Sequence, residues 1–246
     1  MRMRGKTVPL LLLAAALPLA ARAVPRGQRY EHFSTKVPIG DGEVLIVGFQ
    51  GGREAWNAER TAVGRLAARL REMKLPGVHV ETVENQKRHL AARLVLEALD
   101  RDRDRRLAPD EVSRARVILY GHSFGGAAVV KLARELHRLG VPVSLTVQID
   151  SVGRDDARIP PNVARAANLF QRNGRIIHGE PEIVAEDPGR TAIVGNFEYD
   201  YDERQIDISR VPWAKKVFRA AHAKMELDRE VWARAEALIV SAVAER

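Results

Sequence analysis

The chain contains no cysteine. Disulfides, cysteine–metal sites and lipid attachment through a thiol are therefore excluded. Aromatic residues make up only 5% of the chain, and they are not interleaved with arginines along a basic stripe, so a nucleic-acid-binding face is not expected. The apolar stretch near the amino terminus, residues 8–20, is too short to cross a bilayer and carries Pro9 and Pro18, which argues against a stable membrane anchor. A strong excess of one charge is also missing. The formal charge is +8, but Arg2, Arg4, Lys6 and Arg22 fall in the first 23 residues without a compensating acid, and beyond them 36 basic residues face 32 acidic ones. Internal repeats and a second-domain linker are absent as well.

What is present begins with a leader. A basic head, Met1-Arg-Met-Arg-Gly-Lys6, precedes the apolar body and the small-x-small exit Ala21-Arg22-Ala23. That order predicts a secretory signal peptide, residues 1–23, cleaved after Ala23 and directing export to the periplasm or exterior of a bacterium. Residues 24–246 have the size of one α/β domain with a good core.

Within that domain, apolar β-branched runs alternate with helical periodicity. Strands are expected at Glu43 to Phe49, Val78 to Val83, Val117 to Tyr120, Val143 to Ile149 and Thr191 to Asn196, with a weakly signalled edge strand at Arg26 to Lys36. Helices are expected at Ala55 to Lys74, Gln86 to Leu99, Ala127 to Leu139 and Asp228 to Val243, and a short one at Asn162 to Gln171 capped by Asn162. Strands alternating with helices predict an α/β domain: a mostly parallel central sheet with helices on both faces.

Gly121-His122-Ser123-Phe124-Gly125 interrupts this pattern between an apolar strand and a helix, and matches G-x-S-x-G. A serine hydroxyl thrust out at a sharp strand-to-helix turn needs a strained backbone and no bulk two residues to either side. Gly121 and Gly125 meet that need. A second glycine-rich loop, Gly48-Phe49-Gln50-Gly51-Gly52, leaves the first strand, where a backbone can approach a substrate closely. Asp150 closes the strand that follows the serine's helix, a sheet-end position that faces a ligand crevice in open α/β folds.

The order of elements, the elbow, the Asp at a later strand end and a His near the last helix resemble the α/β-hydrolase superfamily over nearly the whole of residues 24–246, and within it the lipase- and esterase-like serine hydrolases. The resemblance implies a triad of Ser123 as nucleophile, His222 as base and Asp150 as orienting acid. Asp200 or Asp202, after the late strand, would fit the commoner placement of the acid and is held in reserve. His178 also follows Asp150 but suits a turn, and His122 suits a neighbour that shapes the pocket. The resemblance further implies oxyanion donors at the backbone amides of Phe124 and of Phe49 or Gln50, although Val47-Gly48 stands where the family commonly has His-Gly. A small-molecule or lipid acyl ester is the implied substrate, with no cofactor required. A thioesterase or amidase would use the same triad, and the fold also serves non-catalytic binding proteins.

Two further stretches carry expectations. Asp100, Asp102, Asp104 and Glu111 occupy positions one, three, five and twelve of an EF-hand-like loop at 100–111, the ligand pattern of a structural calcium site. Arg105 stands where that loop normally has glycine, and Arg101, Arg103 and Arg106 oppose a dication, so a plain solvated Asp/Arg loop is the equal alternative. Residues 151–189, with Pro160, Pro161, Val163, Leu169 and Phe170, are expected to have little sheet character and to form a mildly apolar cap over the crevice.

Overall fold

The computed structural model describes residues 27–174, 177–211 and 213–245. The leader expected at 1–23 lies outside them. In chain order the elements are β1 (Val44–Gln50), α1 (Ala62–Glu72), β2 (Val78–Glu84), α2 (Arg88–Leu99), α3 (Pro109–Ser113), β3 (Arg116–His122), α4 (Phe124–Arg138), β4 (Val143–Ile149), β5 (Arg158–Ile159), β6 (Val163–Phe170), β7 (Val184–Ala185), β8 (Ala192–Glu198), α5 (Trp213–Leu227) and α6 (Arg229–Ala244). Six strands form one sheet in the order β2-β1-β3-β4-β6-β8, and every neighbouring pair is parallel. β5 and β7 pair separately.

The sheet is covered on both faces because its central strands are apolar on both. Alternate residues of a strand point to opposite sides. Leu45, Val47 and Phe49 of β1 and Val117 and Leu119 of β3 pack with α2 and α4 in one core. Val44, Ile46, Ile118 and Tyr120 pack on the other side with α1 and α6. Such two-sided burial is why these strands read as continuous apolar runs rather than as alternating ones.

The segment 162–171 departs from the helix expected there. β6 occupies the slot between β4 and β8, with Ala166 and Ala167 fully buried. Its Ala-rich sequence favours a helix locally, but pairing on both edges outweighs that preference. Asn162 is not a helix cap; its Nδ2 donates to the carbonyls of Ala133 (3.0 Å) and Val141 (2.8 Å) and ties the end of α4 to the sheet. The cap expected at 151–189 is corrected by the same observation, since Val163, Leu169 and Phe170 belong to a central strand.

The expected edge strand at 26–36 is instead a short 3-10 turn, Tyr30–His32. The segment after it is held by a buried carboxylate: Glu81 Oε1 accepts from the amides and hydroxyls of Ser34 and Thr35 at 2.7–2.8 Å.

Candidate active site

β3 ends in the turn that carries Ser123. The serine has φ 57° and ψ −125°, outside the regions favoured by L-residues, at the junction with α4. Backbone bonds hold it there: its amide donates to Ile149 O (3.0 Å), and its carbonyl accepts from Gly126 (2.9 Å) and Val152 (3.1 Å). The two motif glycines are needed for packing. A Cβ on Gly121 would lie 2.4 Å from Gly125 O, and one on Gly125 would lie 2.2 Å from Phe49 O. α4 can therefore approach the end of β1 only with glycine at this point.

Asp150 follows β4, the strand beside β3, and also has positive φ (43°). Its carboxylate is fully buried, accepts from Gln171 Nε2 at 3.0 Å, and lies 2.6 Å from His222 Nδ1. A carboxylate can only accept, so the proton of this bond sits on His222 Nδ1, and Nε2 is the ring nitrogen left with a lone pair.

His222 lies within α5, in the portion after the break at Arg219 (φ −142°, ψ 32°), just before the last helix α6. The His122 ring stacks on it at 4.7 Å between centroids and 19° between planes, and Trp232 meets His122 edge-on at 6.0 Å. Trp232 Nε1 donates to Met225 O (3.2 Å), fixing α6 against α5. Nearby, Tyr201 donates its hydroxyl to Asp228 Oδ2 (3.0 Å), the carboxylate that caps α6. Burial, reinforced by Asp228, pushes the Tyr201 phenol far above its ordinary value, so it stays a neutral donor.

The other candidates stand apart from His222. Asp200 is exposed and accepts from Asn173 Nδ2 and the Asp202 amide, which holds its carboxyl below the usual range. Asp202 is exposed, and His178 is exposed with Nδ1 3.4 Å from Gly179 O. Asp150 is the acid that reaches the histidine.

An all-parallel sheet with a strained serine between its third strand and the following helix, and an Asp–His pair at the next strand end, decides the architecture. The chain has the α/β-hydrolase fold. No protein-family model matches the sequence, and no curated protein matches it. Solved structures that resemble it include a Trichoderma reesei cutinase in complex with a phosphonate inhibitor, at 15% identity and TM-score 0.43 over 85% of this chain and 79% of that one. A cutinase-like protein from Cryptococcus sp. matches at 12% and 0.44, covering 82% and 95%. An acetyl xylan esterase matches at 10% and 0.39, covering 82% and 99%.

In this α/β-hydrolase fold the first glycine-rich loop lies beside the elbow. A Cβ built on Gly51 would be 3.3 Å from Ser123 Cβ. Phe49, one of the expected oxyanion donors, is inside the ladder, in register with Val83 on one side and Gly121 on the other. Gln50, the other expected donor, is the last residue of β1, in register with Glu84. Asn85 fixes this stretch by donating to Gln50 O (3.0 Å) and Gly52 O (2.7 Å), and Thr61 Oγ1 donates to Gln50 Oε1 (2.8 Å). Neither residue carried a local signal in the sequence. Phe124 opens α4, where the first amides of a helix have no intrahelical acceptor.

The loop at 100–111 is distant from this chemistry. Asp100, Asp102 and Asp104 bring carboxylate oxygens within 4.8 Å of one another, and Glu111 is outside that group. Glu111 instead accepts from the amides of Arg101 (2.6 Å) and Ala108 (2.9 Å). The aspartates likewise accept from loop amides, Asp100 from those of Asp104 and Arg105. Arg105 adopts the left-handed conformation (φ 68°) that the glycine of a calcium loop would supply.

Proposed function

We propose that this protein is a serine hydrolase that cleaves an acyl ester through Ser123, His222 and Asp150. The observation that carries the reading is the bonded His222–Asp150 pair, with His222 stacked on the residue that precedes a strained Ser123. Ser123 Oγ attacks the carbonyl carbon as His222 Nε2 takes its proton, and Asp150 holds the imidazole tautomer and stabilises the imidazolium. The amides of Phe124 and of the Gln50–Gly51 stretch receive the oxyanion, each such donor being worth about 2.7 to 4 kcal/mol. Collapse forms the acyl-enzyme and expels the alcohol, which takes the proton from His222. Water then attacks the acyl-enzyme with His222 as base, releasing the acid and restoring Ser123. All of these steps use side chains and backbone amides of the chain itself.

A fluorophosphonate probe tests the activated serine whatever the natural substrate. Labelling of the folded protein, and none with Ser123→Ala, His222→Ala or heat-denatured protein, is expected. An unlabelled wild type would put the non-catalytic binding reading in first place. The leader belongs to the same proposal: the protein is exported, and the mass of material recovered from the periplasm or medium is expected to correspond to a chain beginning at Val24.

A further inference from the structure

A groove of about 510 Å³ adjoins the elbow at Phe124. Phe124, Ala127, Ala128 and Val152 form apolar lining. Arg88, Lys131 and Arg154 also line it, and none of the described lining residues is acidic. Arg88 is partly committed to Glu135 (3.1 Å), whereas Lys131 and Arg154 form no ion pair among the described residues. A larger groove of about 650 Å³ lies against α2 and the 100–111 loop, is lined by no residue of the elbow, and has Glu97, Asp100 and Glu135 among its cations.

The cationic groove holds none of the triad residues itself and adjoins the proposed machinery through its lining, where Phe124 directly follows Ser123 in the chain. The Val152 amide donates to the Ser123 carbonyl, and Asn85, another lining residue, holds the carbonyls of Gln50 and Gly52. Its wall at 151–156 is fixed: Ser151 Oγ donates to buried Asp156 Oδ2, and Gln148 Nε2 donates to Asp156 O (2.9 Å). Lys131 lies seven residues beyond Phe124 on α4, roughly 10 Å along the helix. Covering that length from the elbow takes an ester limb of several methylenes.

Resting on the serine-hydrolase reading above, we propose that this groove is a subsite for the anionic end of the substrate, an ester in which one limb carries a carboxylate. A neutral acyl chain of similar length leaves these cations without a partner, whereas a carboxylate gains charge-assisted contacts. Because Lys131 and Arg154 are exposed, each contact is modest and weakened by salt.

Matched ester pairs test this and separate the two limbs: 4-nitrophenyl hydrogen adipate against 4-nitrophenyl hexanoate for the acyl limb, and 4-carboxyphenyl butyrate against phenyl butyrate for the alcohol limb. In at least one pair the wild type is expected to favour the anionic member by about tenfold in kcat/KM, about 1.4 kcal/mol. Lys131→Gln/Arg154→Gln is expected to bring that ratio toward one, as is raised salt. A ratio near one in both pairs, or a preference the double variant retains, overturns the subsite while a preparation that labels with fluorophosphonate keeps the hydrolase reading. A preparation that neither labels nor turns over any of the esters ends both.

Discussion

Gly125→Ala probes the packing that sets up the elbow. The added methyl carbon would lie 2.2 Å from Phe49 O, 2.8 Å from Phe49 C and 2.9 Å from Gln50 O, all backbone atoms of β1 and its exit. Ordinary contact begins near 3.4 Å, so the shortest approach is deficient by about 1.2 Å. No side-chain rotation relieves it, and α4 must move away from β1. Overpacking of this kind costs about 3 kcal/mol, which in a domain of this size lowers Tm by roughly 6 to 12 °C. The movement also displaces the Phe124 amide and Ser123 relative to His222, and a misplacement of about 1 Å costs on the order of 100-fold in rate. Gly140→Ala is the control. Gly140 has φ 73° but nothing within 4 Å of a Cβ, so it loses about 1 kcal/mol to conformation alone. Thermal denaturation and turnover of a chromogenic ester read both effects. Gly125→Ala with wild-type Tm and rate, or a rate loss no larger than that of Gly140→Ala, would refute the argument.

Asp150→Asn removes the charge that holds His222 Nδ1–H; kcat is expected to fall by about 10⁴-fold with the fold retained by circular dichroism, while Asp200→Asn stays within about twofold of wild type. Equal losses in the two variants would contradict the assignment of the acid. Glu111 titrates below its ordinary value of 4.5, chiefly because the Ala108 amide and then that of Arg101 donate to its carboxylate. Its folded-state value is thus depressed, so the stability it contributes is present above pH 4.5 and disappears as pH falls through the folded value. The Tm difference between wild type and Glu111→Gln is expected to be largest near neutrality and to shrink on acidification. A difference that is constant from pH 7 to roughly pH 3 would falsify that linkage.

Strands β1, β3 and β4 were legible because burial on both faces demands runs of largely apolar residues, whatever the neighbours are. Ser123 was legible because its turn needs a glycine on either side at a fixed short spacing: Gly121 is pressed by Gly125 O within the motif and Gly125 by Phe49 O of β1. β6 was hidden because Val163-Ala-Arg-Ala-Ala-Asn-Leu-Phe170 has helical composition, and its strand state is imposed by β4 and β8, which pair with it. The long-range order of motifs brought Asp150 and His222 into consideration, but 72 residues separate them, and Asp200 and Asp202 fitted the order equally well. Only the folded chain, which buries Asp150 against His222 and leaves the other two in solvent, chose among them. The donors that brace the exit of β1, Asn85 and Thr61, were invisible for the same reason, since a side chain that bonds a distant carbonyl leaves no periodicity or spacing behind. From the chain alone come the layered α/β architecture and the glycine-flanked serine, because burial and a crowded turn each leave a recognisable pattern within a short stretch. Tertiary structure alone settled which aspartate meets His222, which loop lies beside the serine and where the cationic groove sits, because those depend on which distant segments meet.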